Sequence, residues 1–379
     1  MSERMSAVSE GSIDTAVRVL RDGGIVAFPT DTVYGMGCDA YAERAIDRIY
    51  AMKRRNKDKP LVMFLAEKNS IRSYVRKPGK SAQRLCDHFF PGALTLIFRA
   101  RKSAPPALIS RNGSISIRIP DYQFIRKVIR QLDRPLATTS ANSTGQDAPL
   151  DHRAVQLPVD LVIEDDAVIG ERASAVLDAS VFPFVLRRKG SVSMYAIERI
   201  ISSKVRLDPG VAFDVLFVCT GNSCRSPMAE GMLRHKVRER GLRNISVSSC
   251  GLHAGAGYPA TENALRAMRL RGYEIKAHRS RPAAECDMGE SDLILCMERF
   301  QRDEIVKGFP GVEGRTFVLA EYCGRSGDIP DPIGGDLTLY RSVASVIERC
   351  ICKVADELEL RSDRSEKHAR IKSRVTSKK

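Results

Sequence analysis

The sequence predicts an α/β protein built from two modules, an N-terminal twisted α/β domain followed by a C-terminal doubly wound parallel-sheet domain. Three observations carry that reading. A chain of 379 residues exceeds what one core comfortably holds. Short apolar runs alternate with amphipathic helical patterns. The segment DVLFVCTGNSCRSPMAEGMLRHKVRERG, beginning at Asp214, then restarts the pattern as a buried strand, a glycine-bearing loop and a helix. No internal repeat joins the halves, so two unrelated modules are fused.

The first module opens with a helical pattern from Ile13 to Leu20 that stops at Asp22-Gly23-Gly24. The apolar run IVAF then leads into PTDTVYGMG. Strands are expected at LVMFL (61–65), ALTLIF (93–98), SISIRI (114–119) and DLVI (160–163), with helices over 42–53, 81–88 and 121–131. The boundaries read as a first domain over 1–205, a linker over 206–213, a second domain over 214–360 and a basic, disordered tail over 361–379. In the second domain strands are expected at 245–249, 292–297 and 316–320, with helices near 260–271, 298–306 and 336–359.

The composition, 43% hydrophobic and 28% charged, suits a soluble α/β protein. No stretch approaches the roughly 18 apolar residues of a membrane span, and the N-terminus lacks a signal-peptide pattern. Ten scattered cysteines read as free thiols of a cytoplasmic protein. Neither an HExxH nor a second cysteine pair beside Cys350 and Cys352 points to a metal site. The net charge of +15 is uneven: residues 1–205 carry 32 Lys/Arg against 22 Asp/Glu, residues 206–360 carry 21 against 22, and the last nineteen carry 8 against 2. Such basicity serves anionic substrates, solubility or a transient tRNA contact, and no nucleic-acid-binding motif accompanies it.

In the second module Cys219 ends a buried strand and Arg225 follows six residues later, across Thr220, Gly221, Asn222, Ser223 and Cys224. A loop of that length can wrap its N–H groups around one phosphoryl dianion, aided by the positive end of the following helix. The same field is expected to lower the Cys219 thiol pKa and make it a nucleophile. Arg225 can hold two phosphoryl oxygens with its planar fork, Ser226 can donate to the thiolate, and Asn222 tolerates a left-handed turn. A strand-ending cysteine near an arginine is commonly inert, but the strand-loop-helix context favours catalysis. A proton donor is expected from Asp328-Ile329-Pro330-Asp331-Pro332, with Asp331 favoured over Asp328.

The residues 214–360 resemble the low-molecular-weight protein tyrosine phosphatase family, through VLFVCTGNSCRSPMAEG and the DPIGG loop. The resemblance implies Cys219 as nucleophile, Arg225 as phosphate binder and Asp331 as general acid and then base, with no cofactor and a phosphorylated protein as substrate. It also implies that Cys224 shields Cys219 through a reversible disulfide, a purely structural role being the alternative. Ile333 and Gly334 stand where phosphotyrosine-specific members carry aromatic residues. The loop is similar to that of bacterial protein-arginine phosphatases, with Ser223 in place of their threonine. An arsenate-reductase-like activity, with Cys296 and Cys323 recruited for electron relay, is the alternative.

The first module's informative cluster is Pro29-Thr30-Asp31-Thr32-Val33-Tyr34-Gly35, followed by Lys53, Arg54, Arg55 and Lys59-Pro60-Leu61. Hydroxyls beside a turn suit an amino-acid ligand and clustered cations suit a triphosphate, although MKRRNKDK reads equally as a solvated helix end. Strand alternation sets Arg118 opposite Ile117 and Ile119, aimed at a cleft. Thr139, Ser140, Asn142 and Ser143 offer polar contacts at a strand end.

Together these segments resemble the threonylcarbamoyl-adenylate synthase family across residues 10–200. The resemblance implies a basic cleft taking L-threonine, bicarbonate and ATP with Mg²⁺, releasing pyrophosphate and supplying L-threonylcarbamoyl-AMP to a downstream tRNA-modification transferase. By it Thr30 and Thr32 lie at the threonine site, Tyr34 lines the amino-acid end, Lys53 and Arg55 contact phosphate and Lys59 assists. Arg118, Thr139, Ser140 and Asn142 surround the carboxylate, carbamate and nucleotide. Ser174 matches a family serine although Ala175 replaces the next threonine, Phe64 replaces a common histidine, and the terminal Arg-x-Gly reads best at Arg188-Lys189-Gly190, with Arg187 as the alternative. A noncatalytic RNA-binding module is the alternative from a different class.

Overall fold

The computed structural model describes residues 2–165, 170 and 172–362. The chain divides into two compact units, residues 1–205 and 206–379. All ten cysteines are free thiols. Among the described residues no helix is long and apolar enough to cross a membrane.

The first unit carries strands β1 (Glu3–Ser6), β2 (Val26–Phe28), β3 (Gly35–Asp39), β4 (Val62–Phe64), β5 (Leu94–Arg99), β6 (Ser114–Arg118), β7 (Leu136–Ser140), β8 (Leu161–Glu164), β9 (Ala175–Asp178) and β10 (Val185–Arg188). They form a mixed sheet in the order β1-β8-β2-β3-β7-β4-β6-β5-β9-β10. Helices Ser12–Arg21 and Gln123–Leu132 bury their apolar stripes in one core cluster with Phe28, Leu136 and Leu161. The helices expected over 42–53 and 81–88 run over Glu43–Lys53 and Lys80–Phe89.

Five strands of this unit escape the sequence pattern. Strand β3 is the glycine-broken run GMGCD, buried at every position, so alternation is lost. It survives because β2 and β7 pair with it from both sides. Similarly β1, β7, β9 and β10 are short or polar; β1, β7 and β9 pair with distant segments, and β10 pairs with β9.

The second unit begins with the two-residue strand β11 (Arg206–Leu207), which bridges to Ser362, so the segment expected as a linker is partly structured. Strands β12 (Phe213–Cys219), β13 (Ile245–Gly251), β14 (Leu293–Cys296) and β15 (Thr316–Val318) form a parallel sheet ordered β13-β12-β14-β15. The strand expected over 316–320 stops at Val318, where a short helix, Leu319–Tyr322, takes over. Helix Arg225–Glu239 packs on the sheet and helix Leu337–Arg361 packs against it, ending at Arg361 rather than 359. The expected disordered tail lies, from residue 363 on, outside the described residues.

Candidate functional site

Two sites emerge, one in each unit, and each sits at the end of a central strand. In the second unit β12, paired on both sides, delivers Cys219 to its carboxyl end. Thr220–Cys224 then turn into the helix beginning at Arg225. Asn222 takes φ +49°, the left-handed conformation its side chain stabilises. Its amide donates to Ser226 Oγ at 2.9 Å and Ser249 Oγ at 2.8 Å, and its Oδ1 accepts from the Arg281 N–H at 2.9 Å. The Asn222 carbonyl meets His278 Nε2 at 2.8 Å. Burial lowers the His278 pKa, so the neutral ring donates its Nε2 proton there. Gly251 permits the loop's close approach: a Cβ there would lie 2.6 Å from the Thr220 carbonyl and 2.8 Å from the Asn222 nitrogen.

Cys219 is buried, with Ser226 Oγ at 3.0 Å and the Asn222 N–H donating at 3.2 Å. Burial pushes its thiol pKa up, against the lowering pull of Ser226, Arg225 and the Asn222 N–H. The sequence expectation of a lowered pKa is therefore corrected for this arrangement. Burial is the reason, and Arg225, which still pulls the other way, is shared with two carboxylates. It donates Nη1 to Glu298 at 2.5 Å and to the Ile329 carbonyl at 3.0 Å, and Nη2 to Asp331.

Asp331 thus reaches the loop, whereas Asp328 accepts from the Arg299 N–H at 3.1 Å at the start of another helix. Thr220 accepts from the buried Gln301 at 3.1 Å, and Gln301 also holds Glu298 at 2.7 Å. Gly221 is exposed and Ser223 half-buried at the rim, where the Ser223 carbonyl accepts from the Thr261 N–H. Cys224 Sγ lies 3.2 Å from Tyr340 Oη and 3.4 Å from Thr261 Oγ1, so a polar cluster engages the proposed shielding thiol. Ile333 is 61% exposed and supplies no aromatic wall. Cys296 is buried with a raised pKa, to which nearby Cys219 adds a little, and Cys323 donates to the Cys350 carbonyl.

In the first unit the turn between β2 and β3 is organised by Thr30, whose hydroxyl donates to the Val33 carbonyl at 2.7 Å and accepts from the Thr32 N–H at 3.1 Å. Arg118, ending β6, crosses to this turn. It donates to Thr32 Oγ1 at 2.8 Å, Asp31 Oδ1 at 2.6 Å and the Gly92 carbonyl at 3.0 Å, and stacks over Phe64 at 5.6 Å. Phe64, which stands where the resembled family commonly has histidine, thus packs under the Arg118 guanidinium. Arg188 donates to the Ser174 carbonyl and, at 3.2 Å, to Ser174 Oγ, which shares a 2.9 Å bond with Thr95. Gly190 is required there because a Cβ would strike the backbone of Ala173, Ser174 and Ala175. Arg187 pairs instead with Asp178 at 2.8 Å. Surrounding protein lowers the pKa of Arg188, reinforced by the neighbouring cations Arg118 and Arg55, although solvent reaches the residue. Three arginines therefore lie within electrostatic reach of one another.

Two of the expected contacts differ in kind. Lys53 is buried and donates to the carbonyls of Ser140, at 2.5 Å, and Asn142 and to Asn142 Oδ1 at 3.1 Å. Its three protons are spent on fixing the Ser140–Asn142 turn, so it shapes the site rather than offering a bare ammonium. The Tyr34 hydroxyl reaches the carbonyls of Ile163 and Asp165, buried against β8 rather than presented to a cleft. Arg55 donates to the Lys59 and Pro60 carbonyls, Lys59 itself is exposed, and Thr139 is half-buried beside Ser140. Ser143 and Asn142 line a cavity of about 540 Å³ with Gly145 and Gln146.

Asp31 was named only as part of its cluster, and Gln301, Glu298, Ser249, His278, Thr261 and Tyr340 were not singled out in the sequence. Of these six only Glu298 carried a local signal, its place just past the apolar strand β14. No cluster of three or more metal-ligating side chains occurs among the described residues. That donor set fits ATP phosphates at Arg55, Arg118 and Arg188, and fits Mg²⁺ only as an ion carried by the phosphates and water.

Comparison with known proteins assigns both units. The family described as "Telomere recombination" (Sua5/YciO/YrdC) matches residues 18–190, and low molecular weight phosphotyrosine protein phosphatase matches 214–365. A threonylcarbamoyl-AMP synthase of Chromobacterium violaceum is 35% identical over 167 residues, 43% of this chain and 86% of its own length. That of Pyrococcus abyssi is 30% identical over 208 residues, 54% of this chain, and the chain spans only 61% of it. A protein-arginine-phosphatase of Geobacillus stearothermophilus is 36% identical over 148 residues, 39% of this chain and 97% of its own length. With its signature loops standing at the ends of β12 and β2, the chain is a fusion that belongs to the Sua5/YrdC-like threonylcarbamoyl-AMP synthase family in its first unit and to the low molecular weight phosphatase family in its second.

Proposed function

We propose that the first unit condenses L-threonine, bicarbonate and ATP into L-threonylcarbamoyl-AMP and pyrophosphate, for use by a tRNA-modification transferase. The convergence of Arg55, Arg118 and Arg188 beside the Thr30–Thr32 turn carries this reading. The arginines hold and neutralise the triphosphate, and the Thr32 hydroxyl and Ser140–Asn142 turn orient the amino acid and the nucleotide. Mg²⁺ adds charge neutralisation on the phosphates. Purified full-length protein should release pyrophosphate from ATP only when both L-threonine and bicarbonate are supplied. Threonine-independent hydrolysis would remove the assignment.

For the second unit we infer a protein phosphatase acting through cysteinyl phosphate, with phosphoarginine preferred. Cys219 held between Ser226 and the Asn222 N–H supports it. An incoming phosphoryl dianion takes over the Arg225 fork from Asp331 and Glu298. Cys219 Sγ gives up its proton to the incoming dianion and attacks phosphorus, the bond from phosphorus to the leaving nitrogen or oxygen breaks, and Asp331 supplies that atom's proton. Asp331 afterwards takes a proton from water as it attacks the cysteinyl phosphate, releasing phosphate. The phosphoarginine preference rests on Ser223, on the exposed Ile333 and on the arginine-phosphatase relative. Rapid acid quench of Asp331→Asn should trap phosphate on Cys219. Matched phosphoarginine and phosphotyrosine peptides, compared by kcat/KM in wild type and Ser223→Thr, settle the order.

A further inference from the structure

Beside the Cys219 loop lies a second pair of thiols that neither proposed reaction uses. Cys250, near the end of β13, is wholly buried in a cluster with Leu216, Val218 and Ala283, and the side chain of Cys286 packs against that cluster from outside. The backbone fixes their meeting. Gly251 forms a parallel bridge with Pro282, and its N–H donates to the Arg281 carbonyl at 2.9 Å. The short 3₁₀ turn Ala283–Glu285 follows, and the Cys286 N–H closes it on the Ala283 carbonyl at 3.1 Å. Cys250 and Cys286 thus meet across one turn, where the Cys250 thiol donates to the Cys286 sulfur.

The two sulfurs are unequal. Cys286 is half-buried, within reach of small solutes, and the Cys250 donor and the Arg281 charge lower its pKa against its own partial burial. Cys250 is held as the neutral thiol by Cys286 and by burial. Burial likewise raises the thiols of Cys38, Cys86, Cys219 and Cys296. A half-exposed thiolate beside a buried resolving thiol is the arrangement that an oxidant attacks first.

We propose that Cys286 and Cys250 form a peroxide-reactive pair that closes into a disulfide and disables the Cys219 loop. The Cys286 thiolate attacks one oxygen of hydrogen peroxide: the S–O bond forms, the O–O bond breaks, and the departing hydroxide leaves a sulfenic acid behind. Cys250 Sγ then attacks the sulfenic sulfur, so that the S–S bond forms, the S–O bond breaks and the leaving hydroxide departs as water with the Cys250 proton. Both thiols are oxidised and both peroxide oxygens are reduced. Bonded sulfurs stand about 2.05 Å apart, well inside the contact distance of two thiols, so closure must shift one segment or both. Each segment holds the loop. On one side the Cys250 carbonyl accepts from Ser226 Oγ at 3.3 Å, and the Leu252 and His253 N–H groups donate to the Cys219 and Thr220 carbonyls at 3.0 and 2.9 Å. Gly251 has no free space against Thr220 and Asn222. On the other side the Arg281 N–H donates to Asn222 Oδ1. Closure therefore pulls Ser226 and Asn222 from the positions in which they support the Cys219 sulfur. The consequence for turnover rests on the proposed phosphatase reading, whereas the consequence for Cys219 itself does not.

The test treats the reduced full chain with stoichiometric hydrogen peroxide, blocks remaining thiols with N-ethylmaleimide and maps peptides without reduction. A Cys250–Cys286 crosslink should appear while Cys219 and Cys224 are still alkylated. In the crosslinked protein, iodoacetamide labelling of Cys219 and phosphatase turnover should each fall about tenfold or more and return with dithiothreitol. Cys286→Ser should begin at wild-type labelling and turnover and keep both under the same peroxide. Cys250→Ala should stop at a Cys286 sulfenic acid that dimedone traps. A Cys219–Cys224 or Cys219–Cys250 crosslink with Cys286 still free would overturn the proposal. So would a crosslink between Cys250 and Cys286 that leaves Cys219 labelling unchanged. Reduced protein without phosphatase turnover would instead remove the phosphatase reading, and the mapping and labelling would still decide the fate of the thiol pair.

Discussion

Arg225 is almost wholly buried yet holds two carboxylates, which compete with its downward pull on the pKa of the buried thiol beside it. Glu298 partly cancels the positive field that would favour a Cys219 thiolate. Glu298→Gln should therefore move the pH midpoint for Cys219 alkylation downward, and an unchanged or higher midpoint would remove Glu298 from this role. Arg225→Ala should lower phosphatase turnover by about 10²–10³-fold by removing a transition-state donor. Asp331→Asn should impair turnover far more than Asp328→Asn, because Asp328 serves a helix start. Matched steady-state rates for both variants check that ordering. Asp331 was legible as the proposed acid because a Pro-stiffened acidic loop precedes the last helix. Glu298 was not, since its approach to Arg225 depends on β14 pairing with β12.

Loops in both units are held by one buried polar side chain that spends every bond it has. Asn222→Ala removes the amide that ties Ser226, Ser249 and Arg281 and should cost about 1–3 kcal/mol of stability. Denaturant unfolding of the second unit measures it, and turnover should fall with it. Lys53 plays the corresponding part for the turn after β7. Its pKa is lowered to about 8 by burial and by Arg55. The unfolded chain then binds the extra proton between that value and the ordinary lysine value of 10.5, so this contribution to stability rises with pH across the window. Wild type minus Lys53→Met, compared by denaturant melts at pH 8 and above, should show that rise, and a fall would contradict it. The strand-loop-helix at Cys219 was visible because its residues are contiguous. The cross-sheet meeting of Thr32 with Arg118 was visible only as two separate motifs.

At the scale of the whole chain each unit carries its own sheet and its own site. Cys219→Ser in the full-length protein should abolish phosphatase turnover and leave threonine-dependent pyrophosphate release intact. Arg118→Ala should do the reverse, leaving Asp31 without its guanidinium. Paired assays on both variants check this, and loss of both activities in either one would show that the sites are not independent.

By itself the sequence determined what is local. Contiguous apolar runs marked most of the strands that position the sites, the Cys219–Ser226 spacing marked a phosphoryl cradle, and Pro29–Gly35 with Arg118 and Ser140–Asn142 marked a ligand cleft. Such features are legible because a strand's burial and a loop's reach are written in adjacent residues. The tertiary structure decided which long-range partner each polar group takes. Lys53 turned to the Ser140 and Asn142 carbonyls, Tyr34 to β8, and Arg225 to Glu298 and Asp331, while Arg188 rather than Arg187 joined Arg118 and Arg55. A buried donor must be satisfied by whatever acceptor the sheet brings within reach, and strand order, which sets that neighbour, is not encoded at the donor's own position.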